Sequence, residues 1–200
     1  SGYFDGSGDY LSVADNAAFD FGSGDFTIEC WAYTDTFASQ YNVLVCQWDT
    51  SYSFVFRITS SLVGLYINVG NPFTLQDYTA SVTNTTGQWN HFCVTRSGST
   101  LTFYKNGASI GTSSISATIT NSASNLTVGV IGDLNANTYH KGYISGMRLI
   151  KGTAVAPTIT TPPTAVSGTS LLLNFTNAGI YDATSKNDLE TVGNAQISTT

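Results

Sequence analysis

Only two glutamates, Glu29 and Glu190, occur in this chain, and they stand far apart in sequence. Glycoside hydrolysis needs two carboxyls held about 5–9.5 Å apart across a cleft, and no motif sets a second acid beside either one. The two histidines, His91 and His140, lack an acidic neighbour in any recognisable hydrolase pattern. His91 falls in a strand beside Trp89 and is expected to be structural. His140 lies in an Asn-rich loop and is expected to be solvated. No catalytic residue, and no enzyme, is predicted.

Binding chemistry has more to work with. Sugars present apolar faces ringed by hydroxyls, so a glycan site pairs an aromatic platform with amide or charged groups. Trp48, Tyr52, Arg57, Tyr66 and Asn68 lie on consecutive strands and loops between positions 42 and 68 and form the candidate glycan-binding set. Polar loops at 78–86 and 135–139 could form its rim. Trp31 and Trp89 are assigned to the core, where sandwich aromatics usually sit. Hard cations want clustered carboxylate and carbonyl oxygens on loops. Asp5 and Asp9 of Asp-Gly-Ser-Gly-Asp, together with Asp49 and Asp133, are candidate metal ligands, and calcium is the candidate ion. The same aspartates could equally form turns through Asx hydrogen bonds.

The elements that must position these groups are strands. Gly, Ser, Thr and Asn are abundant, only 10% of residues are charged, and 200 residues suffice for one two-sheet sandwich. The net charge is −6 with seven Lys and Arg and no basic cluster, which argues against nucleic acid and against an anionic membrane surface. No apolar run approaches the roughly 20 residues of a spanning helix, so membrane insertion is not expected. Along 25–33, Phe26, Ile28, Cys30 and Ala32 alternate with Thr27, Glu29, Trp31 and Tyr33, the period of a half-buried strand. Further strands are read at 9–13, 42–48, 53–58, 62–68, 89–96, 126–131 and 142–151. Asn106-Gly107 joins 101–105 to 108–111 as a type I′ hairpin turn. Cys30, Cys46 and Cys93 all sit in apolar strand patterns and read as buried free thiols, with a Cys30–Cys93 disulfide as the alternative.

Two stretches carry a family resemblance. The first is Tyr3-Phe4-Asp5-Gly6-Ser7-Gly8-Asp9-Tyr10-Leu11-Ser12-Val13 followed by Asp25-Phe26-Thr27-Ile28-Glu29-Cys30-Trp31. The second runs through Gln88-Trp89-Asn90-His91-Phe92, Leu101-Thr102-Phe103-Tyr104-Lys105-Asn106-Gly107 and Gly142-Tyr143-Ile144-Ser145-Gly146. Together they resemble the laminin G-like, concanavalin A-like jelly rolls. The resemblance implies an all-β fold, a two-sheet antiparallel sandwich, and binding of glycans or other proteins. It implies that 42–68 contributes to a concave sheet and that an ion can sit near a rim loop. Laminarinase-type relatives carry a Glu-x-Asp-x-x-Glu strand that this chain lacks, and Glu29 is read as a hydrogen-bonded structural acid. The last third resembles tandem modules of marine bacteriophage tail-fibre and virion-surface proteins. It implies a virion-surface or extracellular-appendage module that binds host-surface glycan, or a structural repeat whose partners are other copies of itself.

The domain reading is a single unit over 1–200, with a Pro/Thr-rich connector at 153–169 and a terminal segment at 170–200. The connector's prolines exclude it from a central strand. Leu171-Leu172-Leu173 reads as a strand buried on both faces. In the resembled pattern such a strand opens a domain, so here it either folds back into its own sandwich or docks on a neighbouring copy.

Overall fold

A computed structural model describes residues 1–70, 73–176 and 179–198, so positions 177, 178, 199 and 200 of the expected terminal segment lie outside the described residues. The chain opens with β1 (Gly2–Asp5), β2 (Tyr10–Val13) and the long β3 (Phe26–Thr36). A meander follows: β4 (Asn42–Trp48), β5 (Tyr52–Ile58), β6 (Leu62–Asn68) and β7 (Leu75–Ser81). Then come β8 (Trp89–Ser97), β9 (Thr100–Lys105), β10 (Ala108–Ser114), β11 (Leu126–Val128) and β12 (Lys141–Lys151). The last segment supplies β13 (Thr169–Leu173), β14 (Leu189–Val192) and β15 (Gln196–Ile197). Among the described residues these strands form two antiparallel sheets, one ordered β10-β9-β8-β3-β12-β1-β15 with β13 also on β12, the other β14-β2-β11-β4-β5-β6-β7.

The core lies between the sheets, and alternation puts it there. In β3 and β8 the pairs Ile28↔Val94 and Cys30↔Phe92 face inward. The intervening pairs Glu29↔Cys93, Trp31↔His91 and Tyr33↔Trp89 face outward. Phe4, Phe19, Phe54, Phe56 and Phe103 are fully buried in this core. Truncating one such ring to Ala costs about 3–5 kcal/mol. The β9–β10 turn follows the hairpin expectation, with φ of 49° at Asn106 and 80° at Gly107. All three cysteines are free and buried. Cys30 points into the core while Cys93, opposite Glu29, points outward, so the alternative disulfide does not form.

β1 and β13 share one edge of β12 end to end. β1 pairs with 141–144, and β13 pairs Leu173, Leu172 and Leu171 with Met147, Arg148 and Leu149. β14 then pairs with β2, and β15 with β1. Asp182 ties the turn after β13. It accepts from Leu172 N at 2.9 Å, Thr184 N at 3.0 Å, Thr184 Oγ1 at 2.6 Å and Asn187 Nδ2 at 2.7 Å. Burial alone would raise this carboxyl, but the donated hydrogen bonds outweigh it and hold the group below the usual range.

Candidate functional site

A bulge in β4 between Val43 and Val45 resets the alternation. Val43, Cys46 and Trp48 thereby join Val55 and Ile131 in a small apolar cluster apart from the main core. Tyr41, Tyr52 and Tyr66 pack against it. Trp48 is only 8% exposed, which corrects the expectation of an open platform there. Gly132 lies so close over the Trp48 carbonyl that any Cβ would collide with it. Trp48 and Tyr52 have ring centroids 5.0 Å apart. The exposed Phe73 completes a triad at 5.7 Å from Trp48 and 5.1 Å from Tyr52.

The polar members of the predicted set are committed within the protein. The buried Arg57 guanidinium lies 3.9 Å from the Tyr66 ring centre and 5.2 Å from that of Tyr41, a cation–π sandwich. It also donates to Asp77 at 2.7 Å. Gly64 opposite leaves room for it, since a Cβ would sit 3.0 Å from the guanidinium carbon. Asn68 is buried, donates to the Tyr52 carbonyl at 3.3 Å and accepts from Thr74 N at 2.8 Å. Arg57 and Asn68 therefore hold the loops and the rings, while Tyr52 and Tyr66 keep partly exposed faces.

Around Tyr52 the surface is dimpled. The β4–β5 turn makes Thr50 a ridge between two depressions. One, of about 540 Å³, is lined by Tyr52, Asn68, Gly70, Thr120 and Asn121. The other, of about 380 Å³, is lined by Tyr10, Ser12, Asp49, Asn125 and Thr127 among others. Ser51 fixes the ridge by bonding Ser122 Oγ at 2.9 Å and Ser124 Oγ at 3.1 Å. Apart from Asp49 in the second depression, the lining is hydroxyl, amide and aromatic, the donor set that suits a neutral polyhydroxylated ligand.

The four aspartates fall into two separate pairs. Asp5 accepts from Ser7 N at 2.7 Å, and the buried Asp9 accepts from Asp5 N at 3.0 Å and from Asn194 N. Asp49 is exposed and lies against Gly132, next to Asp133, which accepts from Asn135 N at 3.1 Å. Among the described residues no His, Cys, Asp or Glu side chains group in threes as a metal site. Three of these four carboxylates serve backbone N–H groups, and the set does not fit the six to eight oxygens of a calcium cage.

The outer face of the other sheet holds what the sequence reading missed. Trp31 and Trp89 are half-buried on this face, not in the core. Tyr3↔Tyr143, Tyr143↔Tyr33 and Tyr33↔Trp89 are directly opposed, so four rings form one cross-strand row. Their centroids are 5.0, 5.7 and 5.9 Å apart in that order. The alternation in β3 contained the signal, because placing Phe26, Ile28, Cys30 and Ala32 inward puts Trp31 and Tyr33 outward.

Beyond Trp31 on the same face, Glu29 Oε1 accepts from Arg148 Nε at 2.6 Å and Glu29 Oε2 lies 3.0 Å from His91 Nε2. All three are buried. The connector covers them: Thr27 Oγ1 donates to the Thr153 carbonyl at 3.0 Å, and Arg148 donates to the Thr164 carbonyl at 2.7 Å. His140, expected to be solvated, is fully buried with its ring edge-on to Phe4. Burial pushes its pKa down to about 4, against a weaker upward pull from the Tyr33 and Tyr143 backbone. Gly107-Ala108-Ser109-Ile110-Gly111 has the spacing of a nucleophile elbow, which needs a strand-to-helix turn. Here it runs along β10 with Ser109 opposite Tyr104, so it is an ordinary hairpin arm.

Two antiparallel layers, free of long helix and carrying aromatic outer faces, define a lectin-like jelly-roll sandwich. The Concanavalin A-like lectin/glucanases superfamily matches residues 5–160, and the chain belongs to it. No curated protein sequence matches the chain. Among solved structures, a Bacteroides ovatus protein described as a carbohydrate-binding candidate is 19% identical with a TM-score of 0.72, covering 100% of this chain and 61% of its own. The mouse laminin α1 chain domains LG4-5 are 18% identical with a TM-score of 0.55, covering 74% of this chain and 40% of theirs. The binding domain of Paraclostridial Mosquitocidal Protein 1 is 19% identical with a TM-score of 0.52, covering 67% and 38%. At these identities the likeness is one of fold. The chain spans less than two thirds of each of these proteins. No helix among the described residues is long and apolar enough to cross a membrane.

Proposed function

We propose that this chain is a non-enzymatic glycan-binding module displayed on a virion surface or extracellular appendage, with its site around the Thr50 ridge. The observation that carries the reading is the Tyr52 and Phe73 ring pair beside a depression walled by neutral hydroxyl and amide groups. The carbohydrate-binding description of the Bacteroides neighbour supports the ligand class. A binding role rather than hydrolysis is supported by Glu29, whose carboxylate is neutralised by Arg148 beneath the connector, and by Glu190, which sits on β14 in the other sheet. The resemblance of the last third to tail-fibre modules supports the surface location. A glycan array probed with the purified protein should give discrete hits that Tyr52→Ala abolishes. A blank array, or hits that Tyr52→Ala leaves intact, refutes this site.

A second reading, assembly by exchange of residues 170–175 between copies, is supported by one feature. β13 is a wholly buried strand reached through a long exposed connector, the arrangement that domain swapping exploits. Sedimentation across a concentration series tests it, and a monomer at every concentration refutes it.

A further inference from the structure

The outer face of the eight-stranded sheet carries the five rings of Tyr3, Trp31, Tyr33, Trp89 and Tyr143 and stands on the opposite side of the sandwich from the Thr50 ridge. We infer that the row Trp89–Tyr33–Tyr143–Tyr3, with Trp31 beside it, is a second and separate binding surface for a neutral polysaccharide chain. It does not depend on the Thr50 site.

The geometry points to an extended ligand. The four rings sit at directly opposed positions on β8, β3, β12 and β1, so the row crosses three strand spacings, roughly 14 Å. That is the reach of a short oligosaccharide lying flat. Cross-strand aromatic pairs also stabilise a sheet without any ligand. Here, however, the rings are half-buried and keep partly exposed faces as a contiguous patch, the kind of surface that marks an interaction site. The connector that roofs the neighbouring Glu29, His91 and Arg148 leaves the row open.

The surroundings choose the chemistry of the occupant. The row and Ser145 beside it carry no charged side chain. At the Tyr3 end, burial first and then the nearby Asp35 and Asp5 carboxylates push the Tyr3 phenol up. There the two carboxylates Asp5 and Asp35 outnumber the Lys141 ammonium opposite Asp5, which disfavours uronate, sialate and sulfated chains. Beside the middle of the row, the directly opposed Trp31 and Ser145 lead into a depression of about 270 Å³ between Gly146, Pro162, Pro163 and Asn174. Asn174 places an amide side chain in the wall of this depression. Flat rings free of charge, flanked by an amide-lined depression and an edge with excess carboxylate, together describe a site for uncharged sugars.

Native affinity electrophoresis tests this with gels containing a mixed-linkage β-glucan, a galactomannan, a xylan or, for contrast, an alginate. The intact protein should be retarded by at least one neutral polymer and not by alginate. Trp89→Ala and Tyr143→Ala should each weaken that retardation by about ten-fold, the effect of losing one stacked ring, and Trp89→Phe should restore most of it. Thermal unfolding of each variant confirms that the fold is retained. Trp89→Ala is also compared in the Tyr52→Ala background, where it should still remove the remaining retardation, so failure of the Thr50 site and failure of this one are read separately. Passage through every neutral gel, retardation by alginate alone, or equal retardation of wild type and Trp89→Ala overturns the proposal. So does a dimer in sedimentation that Trp89→Ala dissolves, which would make the face a contact between copies.

Discussion

Acidification should destabilise this protein through His140. The ring is fully buried, neither nitrogen makes a well-formed hydrogen bond, and its pKa falls from 6.5 to about 4. The folded state therefore keeps the neutral form while the unfolded chain takes up the proton first. The associated stability is fully present above pH 6.5 and is lost as the pH falls towards 4. Between pH 7.5 and pH 5 the difference in proton uptake amounts to about 2 kcal/mol, and it approaches about 3 kcal/mol below pH 4. Urea unfolding at pH 7.5 and 5.0 measures it, provided the slope of free energy against urea stays constant. The comparison that isolates the group is His140→Phe, which fills a similar space against Phe4 without titrating. Wild type should lose about 2 kcal/mol more than the variant over this interval. Equal losses in both proteins would refute the assignment of the titration to this ring.

Three further outcomes follow from the same structure. Glu29→Gln leaves the buried Arg148 without its counter-ion and should cost about 3–5 kcal/mol in urea unfolding, and a loss under 1 kcal/mol would mean that the pair is solvated. Asp182→Ala orphans the buried Leu172 N–H and frees the turn behind β13, so a loss of about 2–3 kcal/mol is expected together with faster proteolysis between 169 and 198. Gly107→Ala adds a Cβ that meets nothing closer than Ile159 at 3.5 Å, so its cost should be the backbone term alone, about 1–2 kcal/mol, measurable as a lower Tm.

Much of the architecture was legible because strong alternation and turn chemistry are local. The inward set of β3 and the Asn106-Gly107 turn follow from period and positive φ alone. β7 is not legible, because only Ala80 in it is buried and its second half falls in the segment 78–86 that reads as a polar loop. β14 and β15 are short and exposed, with no apolar run to mark them. The site was harder still. Trp31 and Trp89 stand outside the core because the alternation that turns Tyr33 outward carries them to the same face, against the usual burial of sandwich aromatics. Trp48, Arg57 and Asn68 lie on neighbouring strands of one sheet, as their spacing suggests, but their burial depends on the β4 bulge and on the loops above it. The Glu29–Arg148 pair joins positions 119 residues apart, a partnership set by strand order and invisible to any local pattern.

The order in which the strands are laid down along β12 has a consequence for biosynthesis. β1 is made first and β13 late, yet both complete the same edge of β12, and β14 and β15 extend one layer each. A nascent chain emerging from the ribosome therefore holds two unfinished layers until residues 169–197 are out. During that interval Met147, Leu149 and the open margins of β1 and β2 have no cover. Truncated products would carry that margin permanently, and association with another incomplete chain is the simplest way for them to close it.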